Sequence, residues 1–163
     1  MKRTEVKLDS LSLIGLTART NNKNEMNPEK SKIAKLAGYY WNNQIANEFK
    51  DRTHSGVTYS VYTEYENDEQ GEYTYFIGER VNALDKQDQS KFKPLVIPAG
   101  KYQKFTTESG KIPDMVIASW QKIWRMSEKD LGGKRNYIAD FEVYDQRASD
   151  VNHAVVDIYI GIK

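Results

Sequence analysis

The residues best suited to chemistry lie near the end of the chain, in the stretch 138–145. Polar and apolar residues alternate there, which predicts a β-strand with Phe141 and Val143 on one face and Glu142 and Tyr144 on the other. Carboxylates are depleted from strands and are rarely buried without a partner. A glutamate flanked by aromatic residues therefore indicates a pocket in which a ligand supplies the cation.

The sequence leaves three interpretations of Glu142 open. An exposed glutamate on an open sheet face, or one paired with Arg135 or Arg147, needs no ligand. A pocket glutamate would attract an organic cation, because each contact between a cation and an aromatic ring contributes about 0.5–2 kcal/mol. Burial would also raise the pKa of the carboxyl group, so Glu142 is equally a candidate general base of a hydrolase.

The last strand offers two further candidates. Asp157 and Tyr159 alternate with an apolar face that we assign to the core, formed by Val156, Ile158, Ile160 and Ile162. This strand is expected to pair with the strand of Glu142, so Asp157 is a candidate second acid and Tyr159 a candidate aromatic wall. The simpler interpretation is an ordinary half-exposed strand.

In each half, one amphipathic helix precedes the paired strands. The first is predicted to begin at Asn27-Pro28, with Asn as N-cap and Pro in the first turn, and to end near residue 50. The second is predicted to open at Pro113. Core packing explains the aromatic residues of both helices, but a helix edge can also face a cleft, so we add Trp120 and Tyr40 to the candidate ligand contacts. Tyr62, in the first predicted hairpin, joins them.

Composition excludes several classes of site. The 163 residues contain no cysteine and two histidines, which rules out disulfides and thiolate catalysis and argues against a metal site. A formal net charge of +1 does not indicate a nucleic-acid-binding protein. No apolar run has the length of a membrane helix, and no secretory signal precedes the first strand. We therefore expect a cytoplasmic protein with no cofactor, no metal and no direct contact with nucleic acid or membrane.

The predicted elements repeat along the chain as β-α-β-β, a linker, and β-α-β-β. We expect one α+β domain over residues 1–163, built from half-repeats over about 1–82 and 91–163. Its strands should form a mostly antiparallel sheet with a ligand cleft on a pseudo-twofold axis, since ligand sites favour such junctions. In this alignment Glu142 corresponds to Ser60, so only the second half carries the charge.

An ordered set of motifs extends over essentially the whole chain: Arg19-Thr20-Asn21-Asn22, Val61-Tyr62-Thr63, Ile97-Pro98-Ala99-Gly100-Lys101-Tyr102, Trp120 with Trp124, Asp140-Phe141-Glu142-Val143-Tyr144 and Asp157-Ile158-Tyr159-Ile160. This set resembles the integron-associated and stand-alone bacterial effector-binding proteins of the GyrI-like group. The resemblance implies a duplicated β-α-β-β fold and a deep glutamate, here Glu142, that meets cationic aromatic ligands among tyrosines and tryptophans. It also implies an acid and a tyrosine on the last strand, here Asp157 and Tyr159.

The sequence thus predicts a protein that binds a small, cationic, amphipathic or aromatic molecule. Glu142 is the expected charge anchor, and the other contacts are Tyr144, Trp120, Tyr159, Asp157, Tyr40 and Tyr62. A link to transcription would require a separate partner, because we expect no DNA-binding domain in this chain. The alternatives are a hydrolase of the same fold, which the resemblance also admits, and a protein–protein interaction module.

Overall fold

The computed structural model describes residues 1–163 as one eight-stranded sheet with four α-helices. The strands are β1 (Lys2–Leu8), β2 (Leu11–Thr20), β3 (Thr58–Thr63), β4 (Tyr73–Arg80), β5 (Lys93–Ile97), β6 (Gly100–Thr106), β7 (Arg135–Tyr144) and β8 (Asp157–Ile162). The helices are α1 (Asn22–Glu25), α2 (Ile33–Asn42), α3 (Asp114–Trp124) and α4 (Glu128–Leu131). None of them combines the length and the apolar character that crossing a bilayer requires.

The sheet is antiparallel throughout, in the order β1-β6-β8-β7-β3-β4-β2-β5. Read outward from the β7–β3 junction, each side shows the same sequence of equivalent strands, which confirms the predicted α+β fold and its pseudo-twofold axis. The β-α-β-β order predicts one strand before the helix of each half, but the structure has two there: β1 and β2 in the first half, and β5 and β6 in the second. The outer one crosses to the other half, so that β1 pairs with β6 and β5 pairs with β2.

The axis passes between two residues of unlike chemistry. Ser60 of β3 and Glu142 of β7 are direct Cα partners across the junction. Tyr62 and Tyr144 each follow two positions later on their own strands, so all four side chains share one face of the sheet. The register of a single strand pair therefore places the predicted charge at the centre of the molecule.

Three apolar clusters form the core. One lies beneath α2 and contains Tyr40 and Ile77, and a second lies beneath α3 and contains Trp120 and Ile158. The third, around Phe141, occupies the opposite face of the sheet. Because each helix packs on its own half, the middle of the sheet between α2 and α3 stays uncovered.

The first long helix begins later than the sequence predicts. Pro28 lies in a turn, and α2 starts at Ile33, because the Glu25 carboxylate accepts hydrogen bonds from the backbone N–H groups of Lys32 and Ile33 at 3.0 Å each. Asn27 accepts from the N–H of Glu29 and so closes a turn. A distant carboxylate therefore caps this helix, which local sequence rules could not identify.

A close approach of two strands gives a test of the predicted sheet. Gly15 and Gly78 are partners across β2 and β4, and a Cβ atom on Gly78 would lie 2.0 Å from the carbonyl oxygen of Ile14. We expect Gly78→Ala to lower the free energy of unfolding by about 1–3 kcal/mol, because backbone would have to move. Urea unfolding measures the change.

Gly38→Ala is the matched control for this substitution. A Cβ at Gly38 meets nothing within 4 Å, and the residue lies inside α2. Alanine should therefore stabilise the protein by about 0.5–1 kcal/mol through its helix propensity. Equal unfolding midpoints for Gly78→Ala and the parent protein would contradict the close strand contact.

Candidate functional site

A cavity of about 610 Å³ occupies the uncovered middle of the sheet, between α2 and α3. This volume falls in the range of about 300–1,000 Å³ that is usual for small-molecule sites. Its floor comes from β3, β4 and β7, and its walls come largely from aromatic side chains. These are Trp41, Tyr62, Tyr65, Tyr73, Tyr75, Trp120, Trp124 and Tyr144.

Glu142 lies in the floor of this cavity and is 3% exposed. Three neutral groups donate hydrogen bonds to its carboxylate. The Trp120 indole N–H donates to Oε2 at 2.6 Å, the Tyr62 hydroxyl to Oε2 at 2.9 Å, and the Tyr144 hydroxyl to Oε1 at 2.6 Å. The β3–β7 register and α3 together create this arrangement, which fixes the orientation of the carboxylate but adds no positive charge.

Burial sets the protonation behaviour of the cluster. Desolvation raises the pKa of Glu142 above its ordinary value of 4.5, although the hydrogen bonds from Tyr144, Trp120 and Tyr62 oppose the rise. Desolvation, reinforced by the nearby Glu142 charge, also holds the pKa values of Tyr62 and Tyr144 well above 10.0. The tyrosines thus remain neutral donors at physiological pH.

Glu142 differs from the other buried carboxylates in lacking a cationic partner. Each of the other three lies within salt-bridge distance of an arginine. The pairs are Glu79 with Arg52 at 3.4 Å, Asp140 with Arg135 at 2.6 Å, and Asp157 with Arg147 at 2.7 Å. The two arginines that the sequence offered as partners of Glu142 are therefore bound to other acids.

The structure brings four of the sequence-predicted residues together. Glu142, Tyr144, Trp120 and Tyr62 all line the cavity and are joined by hydrogen bonds. The aromatic rings also pack on one another, with Tyr62 and Trp120 centroids 5.3 Å apart in an edge-to-face arrangement. The predicted anchor and its nearest walls form one constellation.

Asp157 and Tyr159 lie outside this cavity. Across β7 and β8, Ile158 is the partner of Glu142, and Tyr159 is the partner of Phe141. Directly opposed residues point to the same face, so Tyr159 lies on the far side of the sheet, where its ring stacks on Phe141 with centroids 4.6 Å apart. Asp157 accepts a hydrogen bond from Thr106 and pairs with the Arg147 guanidinium.

Tyr40 is also absent from the cavity lining. Its side chain is 2% exposed within the cluster beneath α2, and its hydroxyl has no hydrogen-bond partner. The adjacent Trp41 faces the cavity in its place, on a stripe with Ala34 and Ala37. The helix α2 thus has two neighbouring apolar stripes, one packed in the core and one facing the cavity. The 3.6-residue period of apolar residues does not distinguish between them.

Residues that the sequence analysis did not select complete the walls. Trp124 and Ile117 line the cavity from α3, and Tyr73 and Tyr75 from β4. The alternation of Tyr73 and Tyr75 along β4 indicates that both side chains lie on one face of the strand, but both faces of β4 are buried. Only the helix positions show which of its residues border open space.

The segment around α1 forms one edge of the cavity. Asn22 links this segment to the first hairpin, since its side chain donates to the Glu69 carbonyl oxygen at 3.0 Å and accepts from the Tyr73 hydroxyl at 2.7 Å. Beside it, the Glu25 carboxylate also accepts hydrogen bonds from Thr20 and Ser31. Glu25 borders the cavity, but its oxygens are occupied by the protein.

Three comparisons with known proteins agree with this architecture. The family model described as integron-associated effector binding protein matches residues 6–162. The Bacillus subtilis (strain 168) protein named "Putative transcriptional regulator protein YobU" is 30% identical over 156 residues, which cover 96% of this chain and 94% of YobU.

Solved structures share the fold over nearly the full length of the chain. The integron cassette protein VCH_CASS2, from the mobile metagenome of Vibrio cholerae, superposes with a TM-score of 0.77 at 25% identity, covering 99% of this chain and 95% of its own. SAV2435, solved bound to tetraphenylphosphonium, has a TM-score of 0.77 at 17% identity, covering 100% and 94%. With the family match over nearly every residue, the chain belongs to the integron-associated effector-binding proteins.

Proposed function

We propose that this protein binds a cationic amphipathic or aromatic molecule at Glu142 and serves as an effector-binding protein rather than an enzyme. The single observation that carries the proposal is the buried Glu142 carboxylate, the one buried acid without an arginine or lysine partner. An ionised carboxylate out of water is costly unless it is paired. A cation from solution would supply that pairing.

The walls of the cavity favour an organic cation over a simple ion. Trp120, Trp124, Trp41, Tyr62 and Tyr144 line the space around the carboxylate. The faces of these rings attract cations, and their large apolar surfaces pack well against apolar groups. A cation that carries aromatic or alkyl groups therefore gains from both interactions. A hydrated metal ion would gain little from such walls.

The comparisons support the same ligand class and a regulatory role. Membership of the effector-binding family indicates a small-molecule ligand. SAV2435 was solved with a lipophilic organic cation, and the name of YobU refers to transcriptional regulation. We extend the proposal accordingly: binding of the cation would alter the interaction of this protein with a separate regulatory partner.

The charge of the ligand can be tested with two ions of nearly equal shape. We expect the protein to bind tetraphenylphosphonium and not tetraphenylborate, its anionic counterpart, when both are titrated calorimetrically. Glu142→Gln should weaken binding of the cation about thirtyfold or more, because removal of one partner from a buried charge pair costs about 2–5 kcal/mol. Asp157→Asn is the matched control, since Asp157 lies on the other face of the sheet, and its affinity should be unchanged.

The pH dependence provides a second readout of the same titration. Protonation of Glu142 competes with the cation, so affinity should fall as pH is lowered through the raised pKa of Glu142, while Glu142→Gln shows no such trend. Equal affinity for the cation in the parent protein and Glu142→Gln would exclude Glu142 as the anchor.

The unpaired charge should also lower stability in the absence of ligand. We expect Glu142→Gln to raise the free energy of unfolding by about 0.5–2 kcal/mol at neutral pH. Burial raises the pKa of Glu142 above 4.5, so the folded protein binds a proton at this group more tightly than the unfolded chain does. The free energy of unfolding therefore falls as pH rises from the pKa of the unfolded chain to the higher pKa of the folded protein. The advantage of Glu142→Gln should therefore shrink in acid, as measured by thermal unfolding against pH.

Asp140→Asn provides the opposite case. Asp140 is fully buried and pairs with Arg135 at 2.6 Å. Its neutralisation leaves the buried guanidinium with only the longer, 3.8 Å contact to the Glu69 carboxylate, and should destabilise the protein by about 2–3 kcal/mol. A loss of stability in Glu142→Gln similar to that in Asp140→Asn would mean that the Glu142 charge already has a compensating partner.

The hydrolase alternative makes a different prediction about the fate of the ligand. We expect benzoylcholine, a cationic aromatic ester, to be recovered intact after prolonged incubation, because an effector-binding site releases its ligand unchanged. Release of benzoate is followed by chromatography, with Glu142→Gln as the control. Faster hydrolysis by the parent protein than by Glu142→Gln would assign Glu142 the role of general base.

A further inference from the structure

The cavity floor has two chemically different halves. On one side of the axis lies Glu142, and directly opposite lies Ser60, whose Cα pairs with it across β3 and β7. The Ser60 Oγ is 3.0 Å from the hydroxyl oxygen of Tyr75, on the neighbouring strand. Both residues line the cavity and each is 2% exposed, so this hydroxyl pair is a buried polar group beside the charged one.

The pair contains more donors than its hydrogen bond uses. Each hydroxyl carries one hydrogen and two acceptor positions. One hydrogen forms the bond between Ser60 and Tyr75, and neither oxygen has another hydrogen-bond partner in the protein. The three hydrogen bonds that Glu142 accepts come from Trp120, Tyr62 and Tyr144, not from this pair. One hydroxyl hydrogen of the pair therefore has no acceptor in the protein, and a buried donor without an acceptor is unfavourable.

We propose that Ser60 and Tyr75 form a second contact site for the ligand, which carries an uncharged hydrogen-bond acceptor close to its cationic centre. An ether, carbonyl or hydroxyl oxygen has the required chemistry. An anionic acceptor is disfavoured because Glu142 lies opposite. The inference rests on the proposed function, since it places the cationic centre at Glu142.

The geometry of the strand pair determines how far apart the two groups of the ligand lie. Residues directly opposed in an antiparallel pair have Cβ atoms about 4.5–5.5 Å apart. A cation at Glu142 and an acceptor at Ser60 and Tyr75 are therefore separated by only a few bonds within one molecule. A quaternary ammonium with an oxygen two carbons from nitrogen fits this spacing.

Two quaternary ammonium ions provide the test. Benzyl(2-methoxyethyl)dimethylammonium and benzyl(butyl)dimethylammonium differ only by an ether oxygen in place of a methylene group, so charge and size are matched. We expect the parent protein to bind the ether about twofold to tenfold more tightly in calorimetric titrations, the effect of one net hydrogen bond. Each ion carries a permanent charge, so pH affects only the protein.

The double variant Ser60→Ala/Tyr75→Phe tests the assignment of the contact. Each single variant retains one hydroxyl donor, whereas the double variant has none, so only the double variant should lose the preference for the ether. Persistence of the preference in the double variant would overturn the assignment and direct attention to the Arg135 side chain, which lines the cavity and whose buried Nε has no hydrogen-bond partner in the protein.

The outcomes separate this inference from the proposed function. Binding of both ions by the parent protein without preference for the ether would overturn the acceptor contact and leave the cation site intact. Binding of neither ion would overturn the acceptor contact, and it would also overturn the proposed function if tetraphenylphosphonium fails to bind. If the double variant does not fold, the contact can be measured directly in the parent protein. The measurement is the infrared carbonyl stretch of bound ¹³C-labelled phenacyltrimethylammonium. A bound frequency below that in an aprotic solvent supports the contact, and an unshifted one overturns it.

Discussion

The structure depends on a buried carboxylate that the protein orients but does not neutralise. The side chains of Tyr62, Trp120 and Tyr144 donate three hydrogen bonds to Glu142, and none of them carries a charge. These bonds favour the ionised form, while burial opposes it and raises the pKa of the group. The site therefore holds a charge for which the protein itself supplies no cationic partner.

The remaining buried acids show that this state is specific to the cavity. Glu79, Asp140 and Asp157 each have an arginine, and each belongs to a structural contact. Asp140, for example, also accepts the backbone N–H of Gly161 and so joins β7 to β8. The buried acids that hold the fold together are thus paired with arginines, whereas the buried acid in the cavity is not. Unpaired buried charges are common at functional sites.

Duplication explains both the cavity and its asymmetry. Two equivalent halves each pack one helix on their own strands, and the middle of the sheet remains open because neither helix reaches across the axis. Within this symmetric frame Ser60 and Glu142 occupy equivalent places, so one side of the floor offers hydroxyl groups and the other a carboxylate. A symmetric scaffold thereby presents two chemically different groups at the floor of one cavity.

Local pattern was enough to predict the residues that lie at the centre of the cavity. Alternation placed Glu142 and Tyr144 on one face of a strand, the repeat of the two halves aligned Glu142 with Ser60, and helical periodicity supplied Trp120. Each of these inferences depends on neighbours within one element or on the matching of two elements, information that a sequence contains. The fold followed from the same patterns, together with the resemblance to a known family.

Tertiary structure decided which of the similar side chains meets the cavity. Tyr159 and Asp157 fall on the other face because the β7–β8 register pairs Ile158 with Glu142, and a register is a relation between strands that neither strand determines alone. Tyr40 and Trp41 are adjacent on α2, and the rotation of that helix on the sheet buried the first and exposed the second to the cavity. The sequence by itself determined the elements and the charge at their centre, while strand register and helix rotation determined the walls, because both are set by packing between distant parts of the chain.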